Sequence, residues 1–218
     1  MYTPNHVKDD NRIIDISNSV RSNNESHDVD IDTFIQSIFR LKKIKRTGWL
    51  AKGKILDGES IADHSYSLSA LCMVFSDILG LDTGKVMKMC IIHDLAESII
   101  GDIMPGEIPE KEKKMKETKV MESILFSLPV SVRIDYIRIW KEFLLNGSQE
   151  AQLVHKVDKL EMLLQAREYL LQGYSIRYLE QFFKSIEKYC NQEDNPSLYG
   201  ILGISNTLKN LKYSLDKK

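Results

Sequence analysis

Apolar residues recur at intervals of three and four along most of the chain, which is the spacing of an amphipathic helix. The pattern first appears at Phe34, Ile38 and Leu41 and continues to about Lys45. Later helical segments are predicted over 63–79, 83–98, 109–128, 129–145 and 149–172, and again after Ser175 and after Pro196. Alternating runs of β-branched residues, which would predict a sheet, do not occur. The pattern therefore predicts an all-α, single-domain bundle of seven or eight helices.

Glycines and capping residues mark the ends of these segments. Gly80 ends the second segment, and a break at 146–148 supplies an N-cap for the long one. The glycines within 48–58 predict a loop between the first two helices. Residues 1–29 are polar and carry no sustained period. We therefore expect a flexible tail over 1–29, ahead of a helical domain over 30–218.

Composition and charge exclude several classes of protein. With 218 residues and 43% apolar content, the chain can bury a sizeable core. Lysine plus arginine (30) balances aspartate plus glutamate (31), and the net charge of −1 argues against a protein that coats nucleic acid. The longest apolar run, residues 70–75, is too short to cross a bilayer. We therefore expect a partner that is neither a nucleic acid nor a membrane.

The N-terminal residues and the cysteines indicate the expected compartment. Residues 1–10 contain neither the apolar segment of a secretory signal nor the arginines of a mitochondrial presequence. The three cysteines are scattered and form no CxxC pair, so they predict neither a disulfide framework nor a structural zinc site. The expected location is the cytoplasm, with the nucleus as the alternative.

Two histidines within the predicted helices have different interpretations. His64 shares a stripe with Leu68 and Phe75, on the side of its helix that faces the core. An imidazole in that position must find a partner, and a satisfied core histidine is the simpler explanation for His64 taken alone. His155 lies three residues before Asp158, and we interpret it as a surface or satisfied histidine.

A His-Asp doublet at the end of an apolar segment gives a stronger chemical signal. His93 and Asp94 follow the largely apolar segment 86–92, and Glu97 lies one helical turn beyond His93. Burying several ionisable groups at one helix end is costly unless a cation compensates them. The doublet therefore indicates a cation site.

Asp158 supplies a further carboxylate, at the margin of the apolar face of the long helix. A ligand role and an ion pair with a neighbouring lysine or arginine explain this residue equally well. Two imidazoles and two carboxylates now form an ordered set, which we call the metal quartet: His64, His93, Asp94 and Asp158. Such a mixed set suits Mn, Co, Fe, Zn or Mg, with positions left open for water.

The segments that carry these residues resemble those of a known family. The segments concerned are 46–49 (RTGW), 59–66 (ESIADHSY), 93–97 (HDLAE), 101–103 (GDI) and 156–162 (KVDKLEM). They are similar to the HD-domain metal-dependent phosphohydrolases, and within them to the eukaryotic HD-domain-containing 5′-deoxynucleotidases. The resemblance covers about residues 31–190 and implies an HD-type helical domain.

The resemblance implies an activity and a role for each site residue. The implied reaction hydrolyses deoxyribonucleoside 5′-monophosphates to the deoxynucleoside and inorganic phosphate. The metal quartet would hold a divalent cation, with Mn, Co or Mg expected. Glu97 and Asp102 would be catalytic, by positioning water or by holding a second ion together with the Ile103 carbonyl. Arg46 would bind the substrate phosphate, and the protein would form a homodimer.

One departure from the family pattern keeps the sugar preference open. In bacterial relatives a tryptophan directly follows the phosphate-binding arginine and helps exclude a ribose 2′-hydroxyl. Here Thr47 takes that place and Trp49 comes two residues later. The alternatives are an HD hydrolase of other specificity, such as a nucleoside triphosphohydrolase or a phosphodiesterase, and a non-catalytic helical scaffold. The intact quartet with its neighbouring carboxylates argues against the scaffold.

Overall fold

A computed structural model describes residues 31–192, in which helices are the main secondary structure. Seven of these helices have ten residues or more and two are shorter. In chain order they are α1 (Asp32–Leu41), α2 (Thr47–Ala51), α3 (Ile61–Leu79), α4 (Thr83–Ile92), α5 (Glu97–Ile100), α6 (Glu110–Phe126), α7 (Val130–Leu144), α8 (Gln149–Leu171) and α9 (Ile176–Gln192). Within that range there is no strand, so the predicted all-α class is confirmed. The predicted tail over 1–29 and the helix after Pro196 lie outside the described residues.

Helix α3 begins and ends at residues whose side chains or conformation favour helix termini. The hydroxyl of Ser60 accepts a hydrogen bond from the Asp63 N–H at 3.1 Å, and the Asp63 carboxylate accepts one from the Ser60 N–H at 2.8 Å. This reciprocal pair is a capping box. Gly80 ends the helix in the left-handed conformation, with φ of 68°, as its position predicts. His64 therefore lies in the first turn of a well-defined helix.

The prediction of one continuous helix over 83–98 is wrong. Helix α4 ends at Ile92, residues 93–96 form a turn, and α5 begins at Glu97. Two backbone hydrogen bonds here, from Leu95 to Ile92 and from Glu97 to Asp94, span three residues rather than four. Such bonds tighten the chain relative to an α-helix. The His-Asp doublet therefore lies in a tight turn between two helices.

The first helix ends earlier than predicted because the chain after it pairs with the segment before α3. Helix α1 ends at Leu41, and Lys45 forms an isolated antiparallel bridge with Ser60. The Arg46 N–H donates to the Glu59 carbonyl at 3.0 Å. The short helix α2, which lies within the predicted loop, follows directly. This pairing holds Arg46 beside the N-terminus of α3.

The buried apolar residues form two clusters that meet along α8. Helix α3 packs against both α4 and α8, and α9 packs against α8. Val157 belongs to the first cluster and Leu160 to the second. Asp158 and Glu161 on α8 therefore lie where the two clusters adjoin.

Among the helices of residues 31–192, none combines the length and the apolar character that a bilayer span requires.

Candidate metal centre

The fold brings the four residues of the metal quartet together from three separate parts of the chain. His64 comes from the first turn of α3, His93 and Asp94 from the turn after α4, and Asp158 from the middle of α8. His64 Nε2 lies 3.2 Å from Asp158 Oδ1 and 3.8 Å from Asp94 Oδ2. His93 Nε2 lies 3.0 Å from Asp94 Oδ2. His64, His93 and Asp94 therefore place one ligand atom each within 4.8 Å of one another, and Asp158 joins this group through its contact with His64.

Both imidazoles present a buried Nε2 that makes no hydrogen bond, although a carboxylate oxygen lies 3.0 Å from that of His93 and 3.2 Å from that of His64. His93 Nδ1–H donates to the Cys90 carbonyl at 2.8 Å, which leaves its Nε2 as the unpartnered atom. His64 contacts Glu161 through Nδ1 at 2.6 Å, and its Nε2 is likewise buried without a hydrogen bond. Buried polar atoms rarely lack partners unless a ligand or ion completes them. The donor set of His64, His93 and Asp94 therefore fits a divalent cation.

Electrostatics keep the quartet carboxylates ionised. Burial alone would raise the pKa of Asp158, but Lys159 and His64 hold it well below its ordinary value. Burial opposes the ionisation of Asp94 too, yet His93 keeps the pKa of Asp94 low. Both carboxylates are thus charged at neutral pH, as cation binding requires.

Protonation of His64 competes with cation binding. Burial and the nearby Arg46 disfavour the charged imidazole, yet Asp158 and Glu161 raise the pKa of His64 to about 10. A cation bound at Nε2 must therefore displace a proton. At Asp158, Lys159 Nζ contacts Oδ2 at 2.6 Å, while Oδ1 faces His64. The ion pair and the ligand role of Asp158 are therefore compatible, because they use different oxygens.

The candidate catalytic carboxylates have different surroundings. Glu97 is only 7% exposed at the start of α5. Burial, followed by the charges of Asp94 and Asp102, raises the pKa of Glu97 well above its ordinary value. Asp102 accepts a hydrogen bond from the Thr47 N–H through Oδ2 at 2.6 Å, and its carbonyl accepts one from the Thr47 hydroxyl at 2.8 Å. The Ile103 carbonyl accepts a hydrogen bond from Lys113 Nζ at 2.9 Å.

Arg46, the residue before α2, lies between two buried carboxylates. Its Nη1 is 3.3 Å from Glu59 Oε1 and 3.5 Å from Glu161 Oε2. The Arg46 side chain is 20% exposed, whereas the two carboxylates are almost completely buried. The guanidinium therefore has one side fixed by the protein and part of its surface open.

Sequence reasoning missed the roles of Glu59 and Glu161. Both stand inside segments that carry the family resemblance, and Glu161 is three residues after Asp158 on the same helix, where side chains are neighbours. Glu59, His64 and Glu161 also place ligand atoms close together. The Arg46 guanidinium already supplies a cation to these two carboxylates, so the group that contains His93 and Asp94 is the candidate for a divalent cation.

Trp49 and His155 have structural surroundings. The Trp49 N–H donates to Glu59 Oε1 at 2.8 Å, and its indole is 2% exposed and packs edge-on against Tyr169. His155 Nε2 lies 2.9 Å from the Phe143 carbonyl, and its ring stacks on the Phe143 ring. His155 is therefore satisfied, as predicted.

An all-α bundle that gathers two imidazoles and two ionised carboxylates beside a guanidinium provides the groups that a metal-dependent phosphohydrolase needs. Comparison with known families agrees. The family model described as HD domain matches residues 38–197. The chain belongs to the HD-domain family.

Individual relatives support this assignment. The chain is 36% identical over 171 residues to 5′-deoxynucleotidase HDDC2 of Danio rerio, covering 78% of this chain and 82% of that protein. It is 37% identical over 164 residues to 5′-deoxynucleotidase hdd1 of Schizosaccharomyces pombe, covering 73% of this chain and 82% of that protein. Among solved structures, the PH0347 protein of Pyrococcus horikoshii OT3 is 34% identical, with a TM-score of 0.61, covering 80% of this chain and 98% of that one.

Proposed function

We propose that this protein is a metal-dependent 5′-deoxynucleotidase, which hydrolyses deoxyribonucleoside 5′-monophosphates to the deoxynucleoside and inorganic phosphate. The observation that carries the proposal is the pair of buried, unpartnered Nε2 atoms of His64 and His93 beside ionised Asp94 and Asp158. Two relatives named 5′-deoxynucleotidase, at 36% and 37% identity, support the same activity.

The metal quartet holds the cation in this proposal. When bound there, a divalent cation supplies an activated water and neutralises charge on the phosphoryl oxygens. Mn and Co suit a set with two imidazoles better than Ca, and Mg is the alternative that the two carboxylates support. Asp158 contributes Oδ1, because Lys159 contacts Oδ2.

Glu97 is the group that accepts a proton from water or orients it. Its burial and its raised pKa suit an acid–base role, because a carboxylate with a higher pKa is a stronger base. Asp102 acts beside it through Oδ1, because Oδ2 is held by Thr47. The same Asp102 oxygen and the Ile103 carbonyl are the groups that would join Glu97 around a second ion.

Arg46 binds the substrate phosphate in this proposal. A guanidinium presents a planar fork of donors that matches two phosphate oxygens. Glu59 and Glu161 hold this fork in place from the protein side.

We further propose that the protein forms a homodimer and is located in the cytoplasm. Light scattering of the purified protein tests the oligomeric state.

A phosphate-release panel tests the proposed function. The purified protein is treated with a chelator and assayed with ribo- and deoxyribonucleoside monophosphates and with deoxynucleoside triphosphates, after adding Mn, Co, Mg or Ca. We expect chelation to abolish activity, Mn or Co to restore it better than Ca, and orthophosphate to appear from the deoxyribonucleoside monophosphates.

The controls separate this activity from the alternatives. An Asp94→Asn variant prepared in the same way measures contaminating phosphatase, because it lacks a quartet ligand. Tripolyphosphate released from the triphosphates would instead identify a triphosphohydrolase. Unchanged activity in fully chelated protein would contradict metal dependence.

A further inference from the structure

Glu161 is a buried carboxylate that contacts both a quartet histidine and the proposed phosphate ligand. It is 2% exposed on α8, and its Oε2 lies 2.6 Å from His64 Nδ1 and 3.5 Å from Arg46 Nη1. We propose that Glu161 is a positioning residue that fixes the ring of His64 with Nε2 toward the cation and at the same time fixes the Arg46 guanidinium. This inference rests on the proposed function.

The contacts around Nδ1 determine which nitrogen of His64 is available to a cation. Arginine has only donors, and the ionised Glu161 carboxylate, 2.6 Å from Nδ1, accepts a hydrogen bond from the Nδ1–H of His64. The Arg46 Nη1 atom, 3.0 Å from Nδ1, is therefore a second donor that approaches the same Glu161 oxygen. Nδ1 carries a proton, and Nε2 is left to face Asp94 and Asp158.

Glu161 acts on the far side of the His64 ring, away from the quartet carboxylates. A carboxylate that holds the second nitrogen of a metal-bound histidine fixes its orientation and increases its basicity. Because one Glu161 oxygen also contacts Arg46, the same carboxylate sets the position of both groups. We therefore expect cation affinity and substrate affinity to depend jointly on Glu161.

Glu59 provides a matched control for this inference. It is also a buried carboxylate in contact with Arg46 Nη1, but its other side-chain contact is the Trp49 N–H and not His64. Substitution of Glu59 therefore perturbs Arg46 and removes a buried negative charge, while it leaves the hydrogen bond on His64 in place.

Isothermal titration of chelator-treated protein with Mn²⁺ tests the inference, together with KM for a deoxyribonucleoside monophosphate. We expect Glu161→Gln to weaken Mn²⁺ binding by about 10- to 100-fold and to raise KM. We expect Glu59→Gln to raise KM without a change in Mn²⁺ affinity. Circular dichroism and thermal unfolding establish that each variant is folded.

Several outcomes would overturn the inference. Wild-type Mn²⁺ affinity in folded Glu161→Gln would overturn it. An equal loss of Mn²⁺ affinity in Glu161→Gln and Glu59→Gln would also overturn it, because an equal loss would reflect the removal of buried charge rather than of the contact with His64. If Glu161→Gln does not fold, a crystal structure of the wild-type protein with Mn²⁺ decides. An ion on His64 Nε2 supports the inference, and an ion on Nδ1 or on Glu161 contradicts it. A wild-type protein that binds no Mn²⁺ would instead contradict the proposed function itself.

Discussion

The carboxylate of Glu97 is buried beside two other carboxylates, and the pKa of this group is raised for that reason. At pH values below the ordinary pKa of glutamate, the folded and unfolded chains are both protonated there, and Glu97 has no net effect on stability. As the pH rises toward the raised pKa, the unfolded chain ionises freely while the folded chain resists. Glu97 therefore lowers the free energy of unfolding progressively with rising pH, up to its folded-state pKa.

A Glu97→Gln variant tests this linkage and the catalytic role together. In chelator-treated protein, we expect urea unfolding to show that the variant gains stability relative to the wild type between pH 5 and pH 8. With Mn²⁺ restored, the same variant should lose about 10²- to 10⁴-fold in turnover, the usual contribution of an acid–base group.

The exposed carboxylate of Glu168 supplies the control, and Glu168→Gln should change neither quantity. A pH dependence of stability equal to that of the wild type in Glu97→Gln would contradict the raised pKa. Near wild-type turnover would contradict the role in proton transfer.

Elements with local signals were predicted, and elements set by tertiary contacts were not. The end of α3 at Gly80 and the start of α8 after Ser148 depend on residues that act within one turn, and both were predicted. The break at 93–96 and the early end of α1 were not predicted. The apolar pattern continues across the break, and α1 ends where the chain pairs with the segment before α3. Hydrophobic periodicity does not report a tight turn within an apolar segment or backbone pairing with a distant segment.

The capping box of α3 gives a prediction at this scale. Ser60→Ala removes the hydroxyl that accepts from the Asp63 N–H, and we expect a loss of about 1 kcal/mol in the free energy of unfolding at pH 7. Hydrogen bonds from the Ser60 backbone and hydroxyl lower the pKa of Asp63. That stabilisation is present above the unfolded-state pKa and is lost as the pH falls through the folded-state pKa.

Ser175→Ala, at the residue before α9, is the matched control, because the Ser175 hydroxyl accepts from the Arg177 N–H at 3.3 Å and no carboxylate takes part in that contact. Urea unfolding of both variants at pH 7 and pH 3 measures the difference. The deficit of Ser60→Ala should shrink at the lower pH, while that of Ser175→Ala should not. Equal pH dependence of the two variants would contradict the reciprocal cap.

At the scale of the whole molecule, the site depends on contacts between residues far apart in the chain. The metal quartet was predicted from the sequence because its ionisable residues stand in apolar helical segments, and the resemblance of those segments to a known family implied the same four residues. The trio of Glu59, Arg46 and Glu161 was not, because its contacts join the segment before α3 to the middle of α8. Residue types alone do not indicate such a pairing, and Arg46 looks like one more basic residue among surface lysines.

The trio changes what substitution of Arg46 is expected to do. Arg46→Lys keeps a positive charge between Glu59 and Glu161, so stability should fall little. It loses the planar fork, so kcat/KM for a deoxyribonucleoside monophosphate should fall clearly. Arg46→Ala leaves two buried carboxylates without their cation, and we expect a loss of up to about 3–5 kcal/mol in the free energy of unfolding.

Enzyme kinetics and urea unfolding, measured on the same preparations, distinguish phosphate binding by Arg46 from a purely structural role. Lys43→Ala is the control for general loss of positive charge, because Lys43 is exposed and lies three residues before Arg46. It should keep both wild-type stability and wild-type kcat/KM. A purely structural Arg46 would give Arg46→Lys with wild-type kcat/KM, since the lysine still compensates Glu59 and Glu161. Phosphate binding requires the opposite result, in which Arg46→Lys loses kcat/KM at nearly unchanged stability, because only the guanidinium offers two donors in one plane to the phosphate oxygens.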